Sequence, residues 1–476
     1  MSYGVLTAMS KLVNLLLLPF FTRVFSEDSF GAIDIISTLT NLFMLLGTLS
    51  LPYAINRYYY QLTDKERERL ISSAIYLGFA LAIIYVFAGF VFQNQISNFF
   101  LGSGEYSTLI LISIGFSGTS AITLIAQSVL RIQRRIVAYN SIEILFGAIY
   151  AFAALFAVLR LEMGLNGVFL SQLFAGVIQL IASLILIRGY IGHRFSSALL
   201  KRALKYSLPF SPSLLANWIN PQASRWVLLS AGGLSAVGVF GASARTSAVV
   251  KLFATTFQRM WLPFAMSYIE TNKSSRDRFY SQTLDYFSAI SLIFTLILSA
   301  YSIEIASFVL PAQYHAGHVV IPWIIGGIVL NSSTQITLLG LAIAEKTIYS
   351  SISAWTGAIL NILLAFALMP YWGILGVAIA AFLAELSFSS LGLYFSQKYS
   401  GLRFNIKLNL TYVVIFVGAS LVFNWINSSF SNQSISLQFR SGFLIISLIV
   451  TGIVSYPLFH RLKQVINVIS SERMEK

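Results

Sequence analysis

Apolar runs of about 19 to 27 residues recur along almost the whole chain, and short polar loops separate them. A run of that length, wound as a helix at 1.5 Å per residue, matches a bilayer core of roughly 30 Å. Barrel strands are shorter and alternate apolar with polar residues, so the runs read as helices. With 57% of its residues hydrophobic and 10% charged, the chain cannot clothe itself in a polar shell. These features describe an all-α polytopic membrane protein.

About fourteen spans are expected. They fall near 4–22, 31–54, 70–92, 107–130, 141–160, 166–187, 207–230, 236–262, 282–304, 318–343, 350–369, 374–396, 409–427 and 441–460. The first run begins almost at Met1 and shows no small-residue cleavage pattern, so it reads as a span, not as a leader. Bases crowd into the loops after even-numbered spans, as in Arg67 and Arg69, Arg131, Arg134 and Arg135, and Lys201, Arg202 and Lys205. Loops after odd-numbered spans hold only Arg23, Arg160 and Arg440. Cytoplasmic loops carry such an excess, which puts both termini in the cytoplasm and accounts for the net charge of +14 without nucleic acid.

Several charges lie inside spans, where a charge costs roughly 2.5–3.5 kcal/mol on insertion scales. Arg245, Lys251 and Arg259 fall on span eight, which contains no acid from Val237 to Pro263. On one continuous helix Arg245 and Arg259 share a face, and Arg245 lies roughly 13 Å deep. Lys11 is midway along span one and Arg225 is in span seven. Arg23 and Arg57 cap the ends of spans one and two. A cationic cavity for an anion is one reading; interfacial snorkelling, above all by Arg259, is the other. Glu385, near mid-depth in span twelve, is the leading candidate for coupling to a proton or sodium gradient, because burial disfavours a charged carboxylate. Asp34, Glu143 and Asp285 are further candidates, with salt bridges or interhelical hydrogen bonds as the competing role.

No cofactor or metal is expected. Cysteine is absent, and only His315 and His318 are close together among the four histidines. No loop is long enough for a catalytic or nucleotide-binding domain, and no glycine-rich phosphate loop appears, so the chain does not read as an enzyme. Span seven carries Pro209, Pro212 and Pro221, as expected of a bent helix beside a transport site.

The halves repeat at an offset near 210 residues. Phe30-Gly31 recurs as Phe240-Gly241, Tyr139-Asn140-Ser141 as Tyr349-Ser350-Ser351, and Gly164-Leu165-Asn166-Gly167-Val168 as Gly373-Ile374-Leu375-Gly376-Val377. The repeat implies a six-helix bundle over 1–190, a second over 191–400, and two additional spans in 401–476. Bundles of like orientation hold substrate between them and rock for alternating access.

Specific stretches now carry a family likeness. They are Lys11 through Pro19-Phe20-Phe21-Thr22-Arg23, Ala54-Ile55-Asn56-Arg57, Leu208-Pro209-Phe210-Ser211-Pro212 with Ser224-Arg225, and the two Gly-x-x-Gly-Val turns. Through them the chain resembles the Wzx-type polysaccharide flippases of the multidrug/oligosaccharidyl-lipid/polysaccharide (MOP) exporter superfamily. The resemblance implies two bundles in a V around a central cavity. It also implies a lipid-linked oligosaccharide on undecaprenyl pyrophosphate as cargo, in O-antigen, capsule or exopolysaccharide synthesis at the bacterial inner membrane. Membrane lipids and other polysaccharide-assembly proteins are the implied partners. Arg23, Arg57 and Arg225 would then belong to the cavity or its rims. Three other readings stay open: a cation-coupled multidrug exporter, a peptidoglycan-precursor flippase, and a membrane glycan polymerase or ligase. Span one lacks the acid that drug-extruding relatives use for cations, which weighs against the first.

Overall fold

The computed structural model describes residues 17–192, 195–267, 273–430 and 432–474. Among them there is no strand, and eleven helices are long and apolar enough to cross a membrane. The chain is a multi-pass membrane protein. Contacts divide it into two compact units, 1–245 and 246–476.

The first unit begins with a helical stretch at 17–24. It continues through α1 (Glu27–Thr48), α2 (Leu51–Tyr58), α3 (Asp64–Leu101), α4 (Ser107–Ile132) and α5 (Ile136–Leu159). After these come α6 (Gly164–Leu186), the short α7 (Ser197–Ser207) and α8 (Ser211–Thr246). Small residues set the closest packing: Gly78 lies against Ile122, and Gly118 against Ala82. A core of Leu51, Ile55, Ile71, Ile75, Ile125 and Val129 joins α2, α3 and α4, and α7 adds Leu200 and Ala203. The α3 N-terminus is closed by a capping box in which the Thr63 N–H donates to Glu66 Oε2 at 3.0 Å. Gly233 (φ 71°, ψ −172°) interrupts α8 and divides it into two arms. This is the reversal expected between spans seven and eight, and it falls at glycine, not at Pro221.

The second unit comprises α9 (Ala248–Ser267), α10 (Lys273–Ala300), α11 (Ser302–Val309), α12 (Ile321–Thr337) and α13 (Leu339–Ile343). It ends with α14 (Ile348–Ser400), α15 (Ile406–Ser429) and α16 (Gln433–Met474). A straight helix as long as α14 would measure about 80 Å, far beyond one crossing. Gly373 (φ 53°, ψ −133°) folds it back, so that Gly357 packs on Ala384 and Phe388 and Tyr349 stacks on Tyr399 at 4.4 Å. The last two helices are built into this unit. Ser288 donates to Asn409 Oδ1 at 2.7 Å, and the Tyr286 hydroxyl donates to the Leu458 carbonyl at 3.1 Å.

The 210-residue offset reappears in the backbone. Gly164 and Gly373 take φ values of 54° and 53° at the two matching turns. Arg134 and Glu345, 211 apart, both sit at φ 56°. Around them Arg135 N–H donates to the Leu130 carbonyl at 3.0 Å, and Lys346 N–H to the Leu341 carbonyl at 2.9 Å. These are the six-to-one bonds of a Schellman-type helix end, built twice from different residues.

Fourteen separate helices do not emerge one for one. Most of the expected first span lies outside the described residues, and the two spans around Gly373 form one hinged element. The expected eighth span, 236–262, is broken: α8 ends at Thr246 and α9 begins at Ala248. Thr246 and Ser247 are weak residues for a helix interior, since their hydroxyls compete for backbone groups. The break falls at the polar stretch Ser243-Ala244-Arg245-Thr246-Ser247, short enough that the apolar pattern on either side still reads as one span.

Candidate functional site

The charges of α8 do not stand alone. Asp34, on α1, is buried with 5% of its side chain exposed. Its Oδ2 accepts from Arg225 Nε at 2.5 Å and its Oδ1 from an Arg245 terminal nitrogen at 3.2 Å. The two arginines come from opposite arms of α8, so the reversal at Gly233 is what brings them to one carboxylate. Gly241 makes the room, because a Cβ there would lie 2.8 Å from Asp34 Oδ2. Arg225 donates also to the Pro221 carbonyl at 2.9 Å. The Arg245 guanidinium rests over the Phe30 ring, 4.5 Å from its centroid. Two cations and one anion leave the group a net charge of +1.

Other contacts run between α1 and the same two arms. Thr38 Oγ1 donates to Gln222 Oε1 at 3.1 Å, and Ser235 Oγ donates to the Glu27 carboxylate. At Gly31 and Gly238 the backbones nearly touch: a Cβ on Gly31 would lie 2.0 Å from the Leu234 carbonyl oxygen, and one on Gly238 2.0 Å from that of Glu27.

The remaining expected residues lie on other elements. Arg245 and Lys251 do not share one continuous helix, because α8 ends at Thr246 and Lys251 lies on α9. Lys251 is exposed. The Arg259 side chain and all of Lys11 lie outside the described residues. Arg23 and Arg57 are exposed at helix ends, and Arg57 occupies the last turn of α2, where the helix dipole favours a cation. Neither has a salt bridge among the described residues.

Apart from Asp34, each candidate acid meets amides. Glu143 Oε1 accepts from Gln127 at 2.7 Å and Gln179 at 2.9 Å. Asp285 accepts from Asn409 at 2.9 Å, and Glu385 from Asn331 at 3.1 Å. Near Asp285 the second unit has a half-open cavity of about 270 Å³, walled by Leu292, Phe382 and Phe416 and edged by Ser288 and Asn409.

Arg440, which reads as a loop base from sequence, is 1% exposed on α16. It holds Glu304 with two nitrogens, at 2.9 and 2.7 Å, and donates to the Ala300 carbonyl at 2.6 Å. The roles of Gly31, Gly238 and Gly241 also escape the sequence reading, although the Phe-Gly pair at 30–31 and 240–241 marked the place.

Residues 1–270 match a family model described as polysaccharide biosynthesis protein. The chain belongs to this family. No curated protein sequence matches the chain. Among solved structures, the lipid II flippase MurJ in an inward closed conformation matches with a TM-score of 0.76 at 16% identity, covering 96% of this chain and 99% of that one. A multidrug resistance MATE family transporter of the MOP superfamily, inward-facing, matches with a TM-score of 0.69 at 15% identity, over 83% of this chain and 95% of that one. The Vibrio cholerae MATE transporter VcmN gives 0.62 at 13% identity, over 84% and 95%. This member of the polysaccharide biosynthesis family therefore has the fold of the MOP-superfamily transporters, as its sequence resemblance implied.

Proposed function

We propose that the protein is a flippase that carries a polyprenyl-diphosphate-linked oligosaccharide from the inner to the outer leaflet of the bacterial cytoplasmic membrane. The product would serve O-antigen, capsule or exopolysaccharide assembly, with both termini of the carrier in the cytoplasm. The carrying observation is the pair Arg225 and Arg245, which share one carboxylate within the apolar helices of a polysaccharide-family chain. Guanidinium groups bind phosphate oxygens through charge-assisted hydrogen bonds, and a surplus positive charge inside the membrane suits a diphosphate. The apolar walls of the cavity in the second unit suit a hydrocarbon chain.

The multidrug reading fits less well. An exporter of cations needs an acid to receive them, and Asp34 is already engaged by two arginines. Glu385 is the proposed coupling residue for a proton or sodium gradient, since it is a carboxylate within an apolar helix that accepts a hydrogen bond from Asn331 on α12. The cycle requires no chemical step, so the protein acts as a carrier and not as a polymerase or ligase.

Expression in a strain lacking its own polysaccharide flippase tests the proposal. Restored surface glycan with the parent chain, and loss of it with a membrane-inserted Arg245→Ala variant, is the expected result. Rescue of a strain depleted of its peptidoglycan-precursor flippase, with no effect on surface glycan, would instead favour lipid II, the cargo named for MurJ.

A further inference from the structure

We infer that Asp34 is an internal stand-in for the cargo's phosphate: the diphosphate takes Arg225 and Arg245 from the carboxylate, and this exchange unfastens α1 from the two arms of α8. The inference rests on the proposed flippase reading. It starts from the geometry of the pair contacts. Asp34 receives one N–H from each guanidinium, on different oxygens, and engages neither in the two-pronged pairing that an arginine makes with a carboxylate or phosphate at full strength. A diphosphate brings more oxygens and more negative charge than one carboxylate, and it can offer both arginines a complete fork.

The exposures point the same way. The Asp34 side chain is 5% exposed, Arg225 16% and Arg245 31%. The cations are more accessible than the anion, so an incoming anion meets the arginines first. Arg245 is additionally supported by Phe30 and Arg225 by the Pro221 carbonyl, contacts that do not depend on Asp34. Both guanidiniums thus retain a support while they change partner.

The exchange has a mechanical effect because of where Asp34 sits. The Thr38–Gln222 bond ties α1 to the first arm of α8, and the Glu27–Ser235 bond ties it to the second. Asp34 bonds to both arms at once. Removing it from the arginines takes away the ionic part of this fastening, while the two hydrogen bonds and the glycine contact at Gly31 and Gly238 remain. An empty carrier is therefore fastened and a loaded one is released. Binding energy is used to loosen the helix junction, as a ligand with different affinities for two states must do.

The chain has no cysteine, so a Glu27→Cys/Ser235→Cys pair gives a clean thiol cross-linking reporter on the full-length protein in nanodiscs. Farnesyl diphosphate is the probe and farnesol its uncharged control. Cross-linking should fall as farnesyl diphosphate is added and stay constant with farnesol. Asp34→Asn should bind farnesyl diphosphate about tenfold tighter or more, since a competing charge has gone, and should cross-link weakly with or without it. If Asp34→Asn binds no tighter, or if the reporter ignores farnesyl diphosphate in the chain that keeps Asp34, the exchange is wrong while the anion site stands. If Arg225→Ala and Arg245→Ala bind farnesyl diphosphate as well as the parent does, the flippase reading itself loses its site. The reporter in the chain with Asp34 intact decides the matter even if Asp34→Asn does not fold.

Discussion

Arg440 and Glu304 form a pair whose two members are not equal. Removing Glu304 leaves a cation with 1% exposure and no counter-charge; removing Arg440 leaves a carboxylate that is 38% exposed and can be hydrated. Glu304→Ala should therefore destabilise the second unit by about 3–5 kcal/mol, the usual cost of a stranded buried charge, whereas Arg440→Met, which fills the space with an apolar chain, should cost roughly 1 kcal/mol or less. Thermal unfolding of both variants in one detergent checks this; an equal or reversed order would show that Arg440 reaches water. At this scale the sequence exposed the charges but not their partners. Arg225, Arg245 and Asp34 were each legible as ionisable residues within apolar runs. Their union was not, because the bonds span 191 and 211 positions and depend on a reversal at Gly233. Arg440 was misread because the apolar run resumes just after it, so the residue looks like the loop before the helix.

The helix elements depend on a few backbone positions. At Gly31 and Gly238 any Cβ would strike the opposite backbone at 2.0 Å, and no side-chain rotation relieves that. Gly238→Ala should force α1 from α8, destabilising the first unit by about 1–3 kcal/mol, the range of an overpacked contact, and abolishing glycan export. Melting temperature and surface glycan are the two readouts, and an unchanged melting temperature would refute the close crossing. Arg134 and Glu345 supply the opposite case, non-glycine residues in left-handed turns. Arg134→Gly and Glu345→Gly should each stabilise by a few tenths to about 1 kcal/mol, with relief of strain partly offset by added unfolded-state freedom. Denaturation of the two single variants measures this, and similar gains are expected because the turns are alike. The length of the apolar runs makes most helices legible in the sequence alone. The break at Ser247 is hidden because two weak helix formers, Thr246 and Ser247, interrupt the apolar pattern too briefly to divide one span from the next. The matching glycines of the two Gly-x-x-Gly-Val turns were legible because a positive φ restricts residue type so strongly.

Over the whole molecule, the alternation of basic and non-basic loops makes a topological prediction. With no native cysteine, single substitutions report on one place each. Arg134→Cys should react with a membrane-impermeant thiol reagent only in inside-out vesicles, and Glu162→Cys only from outside intact cells. Labelling of both from one side would overturn the orientation. The duplicated turns at 134 and 345 describe a chain whose halves share local rules, while its charged group belongs to the first unit alone. That group has one more consequence, in electrical terms. A unit charge carried through the full membrane potential exchanges about 2.3 kcal/mol per 100 mV. Two arginines without Asp34 would present twice the net charge of the group as it stands. On the proposed carrier cycle, keeping this counter-ion beside them would halve the electrical work that the two arginines could impose on the return stroke, and membrane voltage would have correspondingly less hold on the empty protein.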